Sequence, residues 1–218
     1  MHHSPTRIVL VTGGSRGIGA EVALQLASPD THVVVNYRQK AKRAEAVAEA
    51  IRSAGGYAST LPADISDEAE CAGMIDTIAT RFGRLDTLVL NASTDLEPEA
   101  EPGYAMRLNR DAQRRLARMA VPLMPVGGRI VFVTSHQAHF FPHKAVPKGY
   151  TAIAASKRAG ETALHVMRSE FRRAGVHLTV VSGEMIDGTF AGTIVDAANT
   201  PNPLGVMFAR GTDYPITA

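Results

Sequence analysis

Along most of this chain, short apolar runs alternate with longer stretches of helical periodicity, and few architectures accept that order. Strand-like runs read at Arg7–Thr12, His32–Asn36, Tyr57–Leu61, Asp86–Leu90, Gly128–Thr134 and Val176–Ser182, with a weaker seventh at Val206–Ala209. Helical patterns fill the intervals at about Gly17–Ala27, Gln39–Ala54, Asp67–Phe82, Gly103–Met124 and Thr151–Ala174. Gly55, Gly83 and Gly175 close three of them in the manner of left-handed caps. Such an order builds βαβ units, so the expected fold is α/β and doubly wound, a mostly parallel seven-stranded sheet with helices on both faces. The 218 residues, 45% of them hydrophobic, suit one domain over 1–218, since α/β domains run to roughly 200–250 residues. Ligands of such sheets bind beyond the carboxyl ends of the strands, which directs attention to the loops there.

Composition narrows the function classes. The formal net charge is +2, from 23 basic and 21 acidic residues, and the densest basic stretch is the short one from Arg38 to Arg43. That argues against nucleic acid or an anionic membrane as the main partner and leaves a small-molecule substrate. Cys71 is the sole cysteine, so neither an intramolecular disulfide nor a multi-cysteine metal site can form; no metal is expected, and a cytoplasmic setting is. No apolar run reaches the about 18 residues of a membrane span. Met1-His2-His3-Ser4 receives no function, and the acidic, proline-bearing stretch from Asp95 to Glu101 reads as a loop over the sheet edge.

The loop after the first strand is Thr12-Gly13-Gly14-Ser15-Arg16-Gly17-Ile18-Gly19. Glycines at 13, 17 and 19 permit a tight turn, close approach of the backbone to a pyrophosphate, and close packing of helix on strand, while free amides at the helix start face the anion. Ser15 and Ile18 belong to the same turn. The sugar is read at the end of the second strand, where an acidic residue would hold ribose hydroxyls and repel an added phosphate. Here the chain has Asn36-Tyr37-Arg38. Arg16 and Arg38 together could fork around a 2′-phosphate, which favours NADP(H) over NAD(H).

The spacing of this loop resembles the fingerprint of the short-chain dehydrogenase/reductase family, a branch of the Rossmann fold. Other motifs follow in the family's order. Asp64-Ile65 after the third strand resembles the pair that contacts adenine; Asn91-Ala92-Ser93 after the fourth resembles the Asn-Ala-Gly element, although Asn91 is equally a good turn residue. Gly183, Ile186 and Thr189 resemble the positions after the sixth strand that meet the nicotinamide carboxamide and the phosphates, with Glu184 and Asp187 read as solvated. The resemblance covers Arg7 to about Thr189. It implies an oxidoreductase acting on a carbonyl or alcohol, and a homo-oligomer, dimer or tetramer. It also implies a helical lid before the last strand. Only Phe190 to Leu204 stands in that interval, with Asn199-Thr200-Pro201-Asn202-Pro203 reading as loop, so the lid is expected to be short or its segment missing.

Family members carry out catalysis with an asparagine, a serine, a tyrosine and a lysine. Asn109, Ser135 and Lys157 match three of these, whereas the tyrosine's place, four residues before Lys157, holds Ile153. By the resemblance, Ser135 would hold the carbonyl oxygen, Lys157 would bind the nicotinamide ribose and favour the anion of a nearby acid, and Asn109 would hold a relay water. Ile153 cannot give a proton. Tyr150, seven residues before Lys157, shares its helical face but lies about 10.5 Å along the axis. It stands where a long loop, Ser135 to Gly149, enters the helix, and there it could fold into the cleft. The loop also carries His136, His139, His143 and Lys144, and a histidine could act as acid near neutral pH. Tyr150 is the first choice of donor and His136 the second. The competing reading is an inactive NADP(H)-binding sensor or subunit partner of the same fold.

Overall fold

Each apolar run becomes a strand of one sheet. The computed structural model describes residues 5–93, 103–184, 189–200 and 205–209. Its strands are β1 (Arg7–Val11), β2 (Thr31–Tyr37), β3 (Tyr57–Pro62), β4 (Thr87–Leu90), β5 (Arg129–Ser135), β6 (His177–Gly183) and β7 (Val206–Phe208). They lie in the order β3-β2-β1-β4-β5-β6-β7, and every neighbouring pair is parallel. The winding reverses between β1 and β4, which opens a crevice at their carboxyl ends. Helices are α1 (Gly17–Gln25), α2 (Ala41–Ser53), α3 (Glu68–Phe82), α4 (Tyr104–Met106), α5 (Gln113–Ala120), α6 (His136–His139), α7 (Thr151–Val166), α8 (Arg168–Arg173) and α9 (Thr189–Asn199).

Because successive strand residues point to opposite faces, one sheet supplies two cores. Leu10, Val34, Leu88, Leu90, Ile130 and Phe132 pack against α3, α5, α7 and α8. Val9, Val11, Val33, Val35, Val89 and Val131 pack against α1, α2 and α9. Local chemistry sets the helix ends. Asp67 caps α3 by accepting from the Glu70 amide, Glu70 in turn accepts from the Asp64 amide, and Gly83 ends the helix at φ 68°.

The structure departs from the expected elements in three places. The single helix expected over Gly103–Met124 is broken: after α4, residues Arg107–Ala112 form a π-helical turn, and Val121–Leu123 close α5 as a 3-10 turn. The wide turn carries the Asn109 carbonyl against α7 at Gly160, where a Cβ would fall 2.0 Å from that oxygen. Thr151–Ala174 likewise divides at Met167 into α7 and α8. The third departure is α9, a helix in the interval where a short or missing lid is expected; the run read as loop begins only at its last residue, Asn199. Phe190, Ala191, Ile194, Ala197 and Ala198 recur at helical spacing and are buried in the second core, so this helix completes a layer of the sheet. Arg7 donates to the Ala198 carbonyl and the Asn199 side chain at its carboxyl end. The acidic stretch 95–101 and residues 185–188 and 201–204 lie outside the described residues.

Candidate active site

A cavity of about 780 Å³ follows the carboxyl ends of β1 to β5, from the glycine loop to Ser135 and Tyr150. At its first end the wall is main chain. Gly13 adopts φ 63° against the Ala92 backbone, and Gly17, at φ 53°, has nothing within 4 Å of where a Cβ would stand. A Cβ on Gly19 would fall 2.4 Å from the Gly13 carbonyl oxygen and 2.5 Å from Asn91 Nδ2. Arg16 does not cap α1 with its side chain, and the first turn of that helix borders the cavity through Gly17, Ile18 and Gly19. Asn91 braces the loop from β4: its Nδ2 donates to the Thr12 carbonyl at 3.0 Å, while its amide and that of Ala92 donate to the Thr12 hydroxyl.

Next along the cavity is a cationic region. Arg16, Arg38, Lys40 and Arg43 line it, and the described lining residues of the whole cavity include one carboxylate, that of Asp64. Asn36 is 2% exposed and faces inward. It donates to the Leu61 and Ala63 carbonyls and accepts from the Gly13 amide at 3.3 Å, tying β2, β3 and the glycine loop together. Arg38 hydrogen-bonds the Tyr104 hydroxyl and stands 3.9 Å from the Asp64 carboxylate. Asp64 also accepts from the Ser66 amide and hydroxyl, which shapes the turn after β3, and Ile65 is buried beneath it.

The opposite end is made of side chains. Ser135 closes β5 and caps α6, its Oγ accepting from the Ala138 amide at 3.2 Å. The same Oγ lies 3.1 Å from the Tyr150 hydroxyl. Tyr150 is the residue at which the chain enters α7, and its carbonyl accepts from the Ala154 amide. Ile153 and Lys157, on succeeding turns, line the same cavity, joined by Phe190 of α9, which packs over Gly183 so closely that a Cβ there would meet its ring at 2.5 Å. Asn109 is 2% exposed; its Nδ2 donates to Ser156 Oγ, and Ser156 donates on to the Ile153 carbonyl. Its side chain thus ties the π turn to α7 from behind the cavity wall.

Two of the loop histidines have hydrogen-bond partners other than Ser135. His136 Nδ1 is 2.9 Å from Ser182 Oγ, and burial pushes its pKa down. His139 pairs at 2.9 Å with Glu161 of α7, whose carboxylate also meets Arg158 and His165. Burial alone would raise the Glu161 pKa, but hydrogen bonds from His139 and His165 and the charges of His139 and Arg158 bring it down to about 2. His143 is exposed, and Lys144 lies over the Phe140 ring. Among the described residues no cluster of histidine, cysteine and carboxylate groups could hold a metal, and no helix is long and apolar enough to cross a membrane.

The structure therefore gathers Gly13, Ser15, Arg16, Gly17, Ile18, Gly19, Asn36, Arg38, Asp64, Ile65, Asn91, Ala92, Ser135, Tyr150 and Lys157 around one cavity. Gly183 sits beneath Phe190, Ile186 lies outside the described residues, and Thr189 begins α9. Tyr104 and Phe190 line the cavity without having been singled out in the sequence. Phe190 had a signal in the periodicity of its helix. Tyr104 had none, because its partner Arg38 is distant in sequence.

The sequence pattern described as short chain dehydrogenase matches residues 7–199. Over 209 residues the chain is 33% identical to the 1-cyclohexenylcarbonyl-CoA reductase of Streptomyces collinus, covering 92% of this chain and 72% of that protein. It is 34% identical over 182 residues to a hydroxynaphthalene reductase of Aspergillus fumigatus, covering 81% of this chain and 65% of the relative. Among solved structures, a metagenomic short-chain oxidoreductase in complex with NADP aligns with a TM-score of 0.81 at 24% identity, over 96% of this chain and 99% of that one. A short-chain dehydrogenase from Burkholderia cenocepacia J2315, also in complex with NADP, aligns at 0.74 and 28% identity over 89% and 88%. A parallel sheet wound about a glycine loop, and a family pattern spanning most of the sequence, lead to one conclusion: the chain belongs to the short-chain dehydrogenase family.

Proposed function

We infer that the protein is an NADP(H)-dependent oxidoreductase that reduces a carbonyl group, or oxidises the corresponding alcohol, with Tyr150 as the proton donor. The observation that carries this reading is the 3.1 Å contact between the Tyr150 hydroxyl and Ser135 Oγ, in a cavity whose far end is the glycine loop. The relatives support it as named reductases, and solved relatives with bound NADP support the cofactor. The residues present fit that cofactor. Gly17 leaves open space at the start of α1 where a pyrophosphate would approach, and the cations beyond β2 suit a further phosphate.

The bound cofactor would supply a hydride to the carbonyl carbon. Ser135 Oγ already accepts from the Ala138 amide, so its O–H is left to donate to the carbonyl oxygen. Tyr150, adjacent to that oxygen's place, gives the proton that completes the alcohol. Lys157, on the same helical face, offsets the phenolate left behind, and Ile153 supplies an apolar wall between them. Asn109 acts by fixing α7 through Ser156. The test is turnover of NADPH with a panel of ketones and aldehydes, for the native protein and for Tyr150→Phe. Turnover that vanishes in the variant while NADPH still binds supports the reading; unchanged turnover removes Tyr150 from it.

Ile153 also favours a second reading, a sensor or subunit partner that binds NADP(H) without turnover. NADPH binding with no consumption on any carbonyl selects it. Either reading includes a homo-oligomer, dimer or tetramer, which sedimentation checks.

A further inference from the structure

Tyr104 connects two sides of the cavity. It is the first residue of α4, entered through Gly103 at φ 90°, and its body packs on the core beneath. Its hydroxyl accepts a hydrogen bond from Arg38 NH1. The guanidinium groups of Arg38 and Arg107 lie 5.9 and 5.7 Å from its ring centroid. Asp64 reaches the same Arg38 nitrogen only at 3.9 Å. Arg38 follows β2, Asp64 follows β3 and Tyr104 opens α4, so three separate elements meet at one guanidinium.

We propose that Tyr104 is a positioning residue for cofactor selection, holding Arg38 across the adenosine end of the cavity so that its remaining donors face a 2′-phosphate. This rests on the reading of the site as one for NADP(H). A surface arginine samples many rotamers, and ordering it on binding weakens affinity. Tyr104 orders it beforehand. The acceptor's neutrality matters as well: the close hydrogen bond on Arg38 NH1 goes to a phenol, which orients the fork without adding negative charge, while the Asp64 carboxylate pairs with the same nitrogen only at 3.9 Å.

The experiment is titration of NADPH and NADH, without substrate, into the native protein, Tyr104→Phe, Arg38→Ala and the double variant. Tyr104→Phe keeps the ring beside the two guanidinium groups and removes only the acceptor, and an unchanged melting temperature checks that packing survives. It is expected to weaken NADPH by about three- to tenfold and leave NADH unchanged. Arg38→Ala loses more, and adding Tyr104→Phe to it changes nothing further. If Tyr104→Phe leaves NADPH untouched, or weakens both cofactors equally, while Arg38→Ala still acts on NADPH alone, the role of Tyr104 is overturned and the cofactor reading stands. If Arg38→Ala has no selective effect, the assignment of the phosphate site fails and the role of Tyr104 fails with it.

Discussion

At the glycine-loop end of the cavity the cleft is faced by backbone, and Gly19 is held between the Gly13 carbonyl and Asn91 with no room for another atom. At the Ser135 end it is faced by side chains from β5 and α7, and a phenol reaches the serine from position 150 while position 153 is isoleucine. The difference lies in what each wall is made of. A wall of main-chain atoms has no alternative supplier, since only the local chain can pass there. A hydroxyl needs only to arrive at a point, and any residue whose helix entry aims it there can provide it.

The largest effect that would break this comparison is at Tyr150. Tyr150→Phe is expected to lower kcat by about 10²- to 10⁴-fold, the span of a lost general acid, with NADPH affinity retained. The same loss in His136→Gln, with Tyr150→Phe active, would move the donor to the loop. Next in size, removing Arg16 and Arg38 together is expected to weaken NADPH by about 1.5–3 kcal/mol for each charged hydrogen bond lost and to leave NADH nearly unchanged, as paired titrations would show. Gly19→Ala tests the backbone end directly. Overpacking there is expected to lower stability by about 1–3 kcal/mol in denaturant melts and to weaken both cofactors alike.

The smallest effect sharpens the side-chain end through pH. The Glu161 pKa is depressed from its ordinary 4.5 to about 2, so the unfolded chain binds the proton more readily than the folded one. Its contribution to stability is therefore complete above about pH 4.5 and is lost as pH falls toward 2. Glu161→Gln should flatten that part of an acid-unfolding curve, and because His139 then loses its anchor, turnover should fall while NADPH binding holds. An unchanged acid curve would show that α6 is held by packing alone.

Elements with a local cause are legible in the sequence. The strands read from apolar runs fall within a residue or two of β1 to β7, and Gly83 ends α3 as its position suggests. The glycine loop was legible for the same reason, since strand, turn and helix are adjacent in sequence. Asn36 and Asn109 show the limit. Both read as candidate site residues, Asn109 from its likeness to the family's asparagine and Asn36 from its place at the end of β2, and their amides are engaged with neighbouring backbone or with Ser156. Which way a polar side chain turns depends on carbonyls and hydroxyls brought close only by folding. The break in the helix before α5 was hidden likewise, because Arg107–Ala112 has no proline or glycine, and the contact that accompanies the π turn, Asn109 against Gly160, spans two helices.

By itself the sequence determined the parallel sheet, the place of the glycine-rich turn after β1, the cations after β2 and the absence of a phenol at position 153. Each follows from residue type and near spacing: apolar periodicity, glycine's freedom from a Cβ, and charge next to a strand end. Tertiary structure decided that Tyr150 meets Ser135, that His136 and His139 turn to Ser182 and Glu161, that residues 189–199 form a layer of the sheet, and that Tyr104 reaches Arg38. Those outcomes depend on where separate elements come to rest against one another, and the packing of both sheet faces sets that distance only once the chain has closed around them.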